Sequence, residues 1–217
     1  VATVLEELYA GRTEKVAVNL PQHYDMARLD AKAARAYLLA GRGAMAMYAN
    51  REALNLAQRG LDCLNRSDEA HQHSALLLDL HLLRAEALLR DGHFVECMVA
   101  FRHAADLAIA FGVPEALAQA ALGYDEPRWR CNLEDAYANT LLERALEHIG
   151  PDDSVQRVYL LAHLARGSQG SMPAQELISM LDEAVGMARR LGDPRALVES
   201  LRLRVSVDRT IRSRARP

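Results

Sequence analysis

Apolar and polar residues follow one another along most of this chain with the period of an amphipathic α-helix. The pattern is clearest in residues 81–112, where apolar side chains recur every three or four positions on both sides of Asp91-Gly92. Gly and Asp favour turns over helix interiors. The pattern therefore predicts two helices that pack against each other across a tight turn at this dipeptide.

The spacing within this helix pair resembles that of a tetratricopeptide (TPR) repeat. Small residues stand where two helices must approach closely, and Phe101 is placed to fill the gap between them. The positions that carry the resemblance are Ala85, Leu88, Gly92, Phe94, Cys97, Phe101 and Ala104.

A four-residue run recurs in the second helix of each predicted pair, and its last residues are separated by 44, 41 and 39 positions. Those last residues are Gly60, Ala104, Ala145 and Ala184. The first helices repeat a similar run at 37–40, 81–84 and 159–162. Since each helical hairpin leaves an apolar face that the next hairpin must cover, we expect an all-α, TPR-like, right-handed solenoid of antiparallel hairpins.

The predicted organisation is a single domain with four TPR-like hairpins in residues 30–192. Short helices in 1–29 precede them, and a capping helix with a frayed tail fills 193–217. The hairpins are expected at about 30–66, 67–112, 113–150 and 151–192. Gly123 is expected to end a short helix, so that 123–132 forms an irregular connector. Gly41 and Gly43 are expected to admit a close neighbour to their helix.

Composition limits the classes of function. Half of the 217 residues are hydrophobic but only 5% are aromatic, which suits a core of stacked Ala- and Leu-rich helices. The formal net charge of −3 offers no overall electrostatic attraction to nucleic acid. The three cysteines are far apart, as expected of a protein in a reducing cytoplasm. No apolar run approaches the roughly 20 residues that cross a bilayer.

Common catalytic and metal-binding motifs are absent from the sequence. It contains no GxxxxGK[ST] phosphate loop, GxSxG, HExxH or paired CxxC, so we expect neither an enzyme nor a cofactor. His71, His73 and His93 are candidate ligands, and His93 shares a helix face with Cys97. A metal site needs three or four converging ligands. We therefore interpret these histidines as solvated or core-edge residues and Cys97 as a small residue at a helix contact.

The connector is the stretch with the composition of a binding site. It contains the single Trp of the chain, two flanking arginines and two acidic residues. Trp and Arg dominate the energetics of many protein interfaces. The candidate partner-binding residues are Tyr124, Asp125, Glu126, Arg128, Trp129 and Arg130. The alternative is structural: Trp129 would cover the groove between repeats while the two arginines pair with the two acids.

Arginines near the C-terminus pose a similar choice. Arg202, Arg204, Arg209, Arg212, Arg214 and Arg216 would suit a nucleic-acid contact, but no aromatic residues lie between them. We interpret them as a solvated helix end and tail. Because the chain begins without Met, inside a predicted helix, we expect it to be a segment of a longer protein.

Several runs resemble the helical-repeat region of large bacterial signalling ATPases of the STAND type. That group includes LuxR-family and BTAD-type transcriptional activators and ATPase-linked adenylate cyclases. The matching runs are 8–13, 20–24, 31–41, 120–124, 128–130, 141–146 and 188–194. The resemblance implies a sensor or partner-docking arm that follows a P-loop ATPase.

The sequence and this resemblance together predict a non-catalytic, cytoplasmic, protein- or peptide-binding repeat region of a bacterial regulator. Its partners would include the ATPase or output domains of the same protein, without nucleic-acid or membrane contact. Three alternatives stay open: a free-standing receptor for a small molecule or peptide in the groove, an all-α enzyme with a hidden acid–base pair, and an oligomerising scaffold.

Overall fold

The structure is a computed structural model that describes residues 20–66, 73–131 and 135–214. Within these ranges the chain is helical, without strands. The helices are α1 Leu20–Met26, α2 Asp30–Ala46, α3 Asn50–Arg66, α4 Ser74–Arg90, α5 Phe94–Phe111, α6 Pro114–Arg130, α7 Ala136–Ile149, α8 Val155–Gly167, α9 Ala174–Leu191 and α10 Pro194–Arg214. The part of the predicted short helices before Leu20, the first residues of the hairpin expected at about 67–112 and the ligand candidate His71 lie outside the described residues.

The predicted fold class, an all-α arrangement of antiparallel helical hairpins with a solenoid-like repeat, is confirmed. The chain forms two compact units, with the boundary between Phe111 and Gly112. In each unit, helices that follow one another in sequence pack against each other: α1 to α5 in the first, and α6 to α10 in the second.

The first unit is built around a core to which α1, α2, α3 and α4 all contribute. Tyr37, Leu64 and Leu80 are completely buried in it. Burial of a large apolar side chain stabilises a fold by about 1.5–3 kcal/mol relative to exposure. The helices of this unit are therefore held mainly by packing of their apolar faces.

Close helix approach explains one of the two glycines that the sequence singled out in α2. A Cβ atom on Gly41 would lie 2.6 Å from Cδ2 of Leu83, so this glycine admits a neighbouring side chain. A Cβ on Gly43 would meet nothing within 4 Å. The expectation of a close neighbour is wrong for Gly43, which faces open space although it lies only two residues after Gly41 in the same helix.

The second unit has its own core, shared by α8, α9 and α10. The faces of α8 and α9 that contribute to it are lined by small and aliphatic residues such as Ala162, Ala165, Leu181 and Ala184, all with no exposed surface. In α10, the buried side chains follow a single line of Ala196, Ser200, Leu203 and Val207. These residues are spaced by three or four positions, so they lie on one face of the helix.

The irregular connector predicted at 123–132 is wrong, because α6 continues through Gly123 to Arg130. Gly costs about 1 kcal/mol in a helix interior and Pro about 3 kcal/mol, which is why Gly123 and Pro127 suggested a loop. Tertiary packing overrides this local preference: Tyr124, Asp125 and Arg128 are buried on one side of the continued helix. Helical spacing also brings the acids of this segment to their arginine partners.

Candidate functional site

The six predicted site residues lie on the last two turns of α6, where helical geometry divides them between two environments. Asp125 has no exposed surface and Arg128 is 7% exposed, whereas Glu126 and Arg130 reach the solvent. Trp129 lies at the boundary with 41% of its surface exposed. The structure therefore separates the predicted set into a buried part, an exposed ion pair and a half-exposed indole.

Asp125 is the centre of a buried charge cluster. Its Oδ1 accepts hydrogen bonds from Arg128 Nε at 3.0 Å and Nη2 at 2.5 Å. Its Oδ2 lies 2.6 Å from Arg166 Nη2 and 2.9 Å from His163 Nδ1, both on α8. A buried carboxylate is tolerated only when it is paired and fully hydrogen-bonded, and this one has partners on both oxygens. We refer to Asp125, Arg128, His163 and Arg166 as the charge cluster.

The electrostatics of the cluster favour the ionised carboxylate. Burial alone would raise the pKa of Asp125, but the hydrogen bond to His163 and the charges of His163, Arg166 and Arg128 together lower it to about 2. A general acid or base needs a pKa near the operating pH. Asp125 is shifted in the opposite direction, and its lone pairs are already used. The cluster is therefore arranged for positioning and charge compensation rather than for proton transfer.

Tyr124 connects the same end of α6 to the start of α7. Its hydroxyl donates to Oδ2 of Asp135 at 2.5 Å, while Oδ1 of Asp135 caps α7 by accepting from the backbone N–H of Tyr137 at 2.9 Å. Arg128 Nη1 donates to the backbone carbonyl of Asp135 at 3.2 Å. The residue that caps α7 is thus fixed by two side chains of α6.

Trp129 rests against the cationic groups of the cluster. The guanidinium carbon of Arg166 lies 4.7 Å from the indole ring centroid, and that of Arg128 lies 5.4 Å from it. Both distances are within the range of a cation–π interaction, which contributes about 0.5–2 kcal/mol. Because Asp125 holds both guanidinium groups, it also fixes the platform on which the half-exposed indole lies.

The alternative structural interpretation of the connector is correct about the ion pairs. Arg128 pairs with Asp125, and Arg130 Nε lies 3.1 Å from Glu126 Oε1. The second pair is exposed and joins residues one helical turn apart, so it contributes only a few tenths of a kcal/mol. The remaining exposure of Trp129 leaves indole surface for a partner.

His163 extends the cluster toward α10. Its Nε2 lies 3.7 Å from Oε1 of Glu199, and Glu199 in turn pairs with Arg202 at 2.5 Å. The imidazole therefore stands between carboxylates from α6 and α10. Charged groups from three helices of the second unit meet at this histidine.

Sequence reasoning missed four residues of this site: Asp135, His163, Arg166 and Glu199. They lie between 6 and 70 residues beyond Trp129 in the sequence, and nothing local joins them to it. One signal was present in α8, where His163 and Arg166 stand one helical turn apart in the otherwise apolar run at 158–166. Two polar residues on one face of a helix that is buried nearly all round need partners inside the protein.

No protein-family model matches this chain, and no curated protein matches it. The candidate site therefore rests on its own geometry. None of the helices in the described ranges is both long and apolar enough to cross a membrane.

The first unit contains a smaller group of potential ligand atoms. Asp25, Asp30 and Cys63 present oxygen and sulfur atoms that all lie within 4.8 Å of one another. Arg66 already fills the space among them, with Nη2 at 2.5 Å from Asp25, 2.9 Å from Asp30 and 3.3 Å from the sulfur. Burial raises the pKa of Cys63 to about 11, which disfavours the thiolate that binds metals.

His93, Cys97 and three of the C-terminal arginines have ordinary partners. His93 Nε2 lies 3.2 Å from Oδ2 of Asp91, and the buried Cys97 donates its thiol to the carbonyl of Phe94 at 3.1 Å. Three of the C-terminal arginines pair with acids. These are Arg202 with Glu199, Arg204 with Asp182 and Asp208, and Arg212 with Asp208.

Proposed function

We propose that this chain is a non-catalytic helical-repeat segment that binds a protein or peptide, and that it serves as the sensor or scaffold region of a bacterial signalling ATPase or transcriptional regulator. The observation that carries the binding role is the half-exposed Trp129 held on two guanidinium groups. Aromatic residues on a rigid platform lose little conformational entropy on binding, and Trp is the residue type most enriched among interface hot spots.

The charge cluster supports a binding role over a catalytic one. Its carboxylate is ionised and saturated with donors, and it lies beneath the surface rather than in an open cleft. The ion pairs and hydrogen bonds of the cluster therefore fix the orientation of Trp129 and of the last turn of α6. In this proposal a partner contacts the indole together with the half-buried Glu126 and the exposed Arg130.

Assignment to a STAND-type regulator is supported by the sequence resemblance described above. In such a protein, a partner that prefers one conformation of the repeat region would bias the attached output module by its difference in affinity for the two states. Reading the gene on both sides of Val1 and Pro217 tests this part. A P-loop ATPase encoded upstream in the same frame is expected, and a start codon directly before Val1 would contradict it.

The binding role is tested by selecting displayed peptides against the purified chain and measuring the affinity of fluorescein-labelled copies of them by fluorescence anisotropy. Trp129→Ala is expected to weaken the selected peptides by about tenfold or more, the usual effect of a hot-spot residue. Val99→Ala on α5 is the control, because Val99 is also exposed, at 67%. If every selected peptide binds Trp129→Ala and wild-type protein equally, this surface is not the binding site.

A second candidate function, a receptor for a small molecule or peptide in a groove, is favoured by a depression in the first unit. It has a volume of about 490 Å³ and lies over α1 and α2. Its lining includes Tyr24, Lys32, Arg35 and Leu39. This volume is within the usual range for small-molecule sites. A thermal-shift screen tests it, since a ligand raises stability by RT ln(1 + [L]/Kd).

A further inference from the structure

The last helix, α10, carries an apolar stripe on the side opposite its buried line. Val198 and Val205 are each 65% exposed, and Leu201 is 39% exposed. Their spacing of three and four residues places them on one helix face. Exposed aliphatic residues arranged in a line along a helix are the pattern by which amphipathic helices recognise one another.

The internal repeat indicates which kind of structural element would pack on this stripe. Val198, Leu201 and Val205 each stand 40 residues after Val158, Leu161 and Ala165 of α8. In α8 these three positions are buried and belong to the core that it shares with α9. The buried line of α10 also has its counterpart in α8, because Ser200 and Leu203 follow the buried Leu160 and His163 by the same interval.

Among the described residues, α8 is thus buried on both of these faces, whereas α10 is buried on only one. The line formed by Ala196, Ser200, Leu203 and Val207 packs into its own unit. On α8, the counterpart of the exposed stripe is buried in the core that α8 shares with α9 and α10. The spacing of the stripe therefore matches that of the first helix of a hairpin, on the face that is buried in α8.

The charges along α10 indicate which kind of partner would bind the stripe. Its sequence contains six arginines and two acidic residues, while the whole chain has a formal net charge of −3. A groove of about 450 Å³ lies beside the stripe and is lined by Val205, Asp208, Arg209, Arg212 and Ser213. Pairing of α10 with its copy in a second molecule would bring arginine against arginine. An occupant with acidic flanks would be attracted instead.

We propose that the stripe formed by Val198, Leu201 and Val205 is a docking face for an acidic amphipathic helix of a partner protein, bound in the position that α9 takes against α8. The proposal rests on the proposed function in taking the partner to be a protein. It concerns a different surface from that of Trp129.

The chain itself supplies a suitable probe. A fluorescein-labelled peptide with the sequence of residues 174–187, capped at both ends, reproduces the part of α9 that contains Leu177, Leu181 and Ala184. It contains three acidic residues and no basic residue. We expect the peptide to bind the full 217-residue chain saturably, as followed by fluorescence anisotropy. Replacing Leu181 of the peptide by Glu should abolish binding, since it places a charge in the apolar contact.

Variants of the protein locate the contact. Val198→Glu and Val205→Glu should each weaken binding by about tenfold or more, because a buried carboxylate would replace an apolar contact. Val99→Glu is the matched control, with the same change at a valine that is 67% exposed on α5. It should leave the affinity within about twofold of wild type. Arg209→Glu should weaken binding more at low than at high salt.

Three results would overturn the proposal. They are absence of saturable peptide binding to the wild-type chain, equal binding to Val198→Glu, and a concentration-dependent dimer in sedimentation that Val198→Glu dissolves. The last result would assign the stripe to a second copy of this chain. Circular dichroism of each variant establishes that it is folded. If the peptide from α9 does not bind but the selected peptides still require Trp129, the docking face on α10 is refuted and the proposed function stands.

Discussion

Asp125 and Arg166 form an ion pair of 2.6 Å between groups 41 residues apart in the sequence, and both side chains are buried. The pair joins the last turns of α6 to the last turn of α8. Arg166 also lies under the indole of Trp129. One buried carboxylate therefore determines how two helices meet and where the half-exposed Trp is held.

Replacing Asp125 by Ala is expected to destabilise the second unit by about 3–5 kcal/mol, because two buried guanidinium groups would lose their common counter-charge. Urea unfolding followed by circular dichroism measures this loss. The matched control is the neighbouring Glu126→Ala, which removes an exposed pair and should cost less than about 1 kcal/mol. Equal costs for the two variants would mean that Asp125 contributes no more than a surface ion pair.

The charge cluster also predicts how stability depends on acid. The pKa of Asp125 is lowered from 3.8 to about 2 in the folded chain. A group whose pKa is lower when folded stabilises the protein above its unfolded pKa, and this contribution disappears as the pH falls through the folded value. Between about pH 4 and pH 2, the unfolding free energy of the wild-type protein should therefore fall by about 2 kcal/mol more than that of Asp125→Asn. The variant has no carboxyl group to protonate at this position.

Unfolding free energies of the two proteins at several pH values between 6 and 2 provide the measurement, with urea as denaturant. Taking the difference between them cancels the other carboxylates of the chain. A constant difference across this range would show that the carboxylate of Asp125 has the same pKa in the folded and unfolded states.

The sequence predicted the fold class because hydrophobic periodicity repeats many times, and each repeat supports the others. It also selected Asp125, Arg128 and Trp129, since charged and aromatic residues concentrate in one short segment. It assigned that segment to a loop because Gly123 and Pro127 have strong local preferences. Contacts between residues far apart in the sequence override those preferences, and hydrophobic periodicity carries no information about such contacts.

The partners of Asp125 were harder to predict for the same reason. His163 and Arg166 become neighbours of α6 only through the packing of α8 against it. In the sequence, the polar pair in α8 indicates that a buried partner exists, but several acids are available to fill that role. The identity of the partner is decided by the relative position of two helices.

Gly60 illustrates a second limit of the repeat pattern and leads to a prediction. The equivalent positions in later repeats are Ala104, Ala145 and Ala184, so the pattern suggests that Ala would be accepted. A Cβ on Gly60, however, would lie 2.7 Å from Cδ2 of Leu80 and 3.3 Å from Cβ of Tyr37. We expect Gly60→Ala to destabilise the first unit by about 1–3 kcal/mol through overpacking.

Gly43→Ala in α2 is the control for this substitution, because a Cβ there meets nothing within 4 Å. It should raise stability by about 1 kcal/mol, the difference in helix propensity between the two residues. Thermal unfolding of both variants measures the opposite shifts. A rise in midpoint for Gly60→Ala would mean that Leu80 moves aside at little cost.

Tyr48 ends the turn between α2 and α3 in a left-handed conformation, with φ of 59°, and its side chain is 83% exposed. The equivalent position after α4 is Gly92, with φ of 85°. A non-glycine residue in this conformation costs about 1–2 kcal/mol. Tyr48→Gly should therefore stabilise the first unit by up to about 1 kcal/mol after allowing for the greater freedom of Gly in the unfolded chain. Tyr48→Ala retains a Cβ and should give no such gain; equal midpoints of urea unfolding for the two variants would show that backbone strain at Tyr48 does not limit stability.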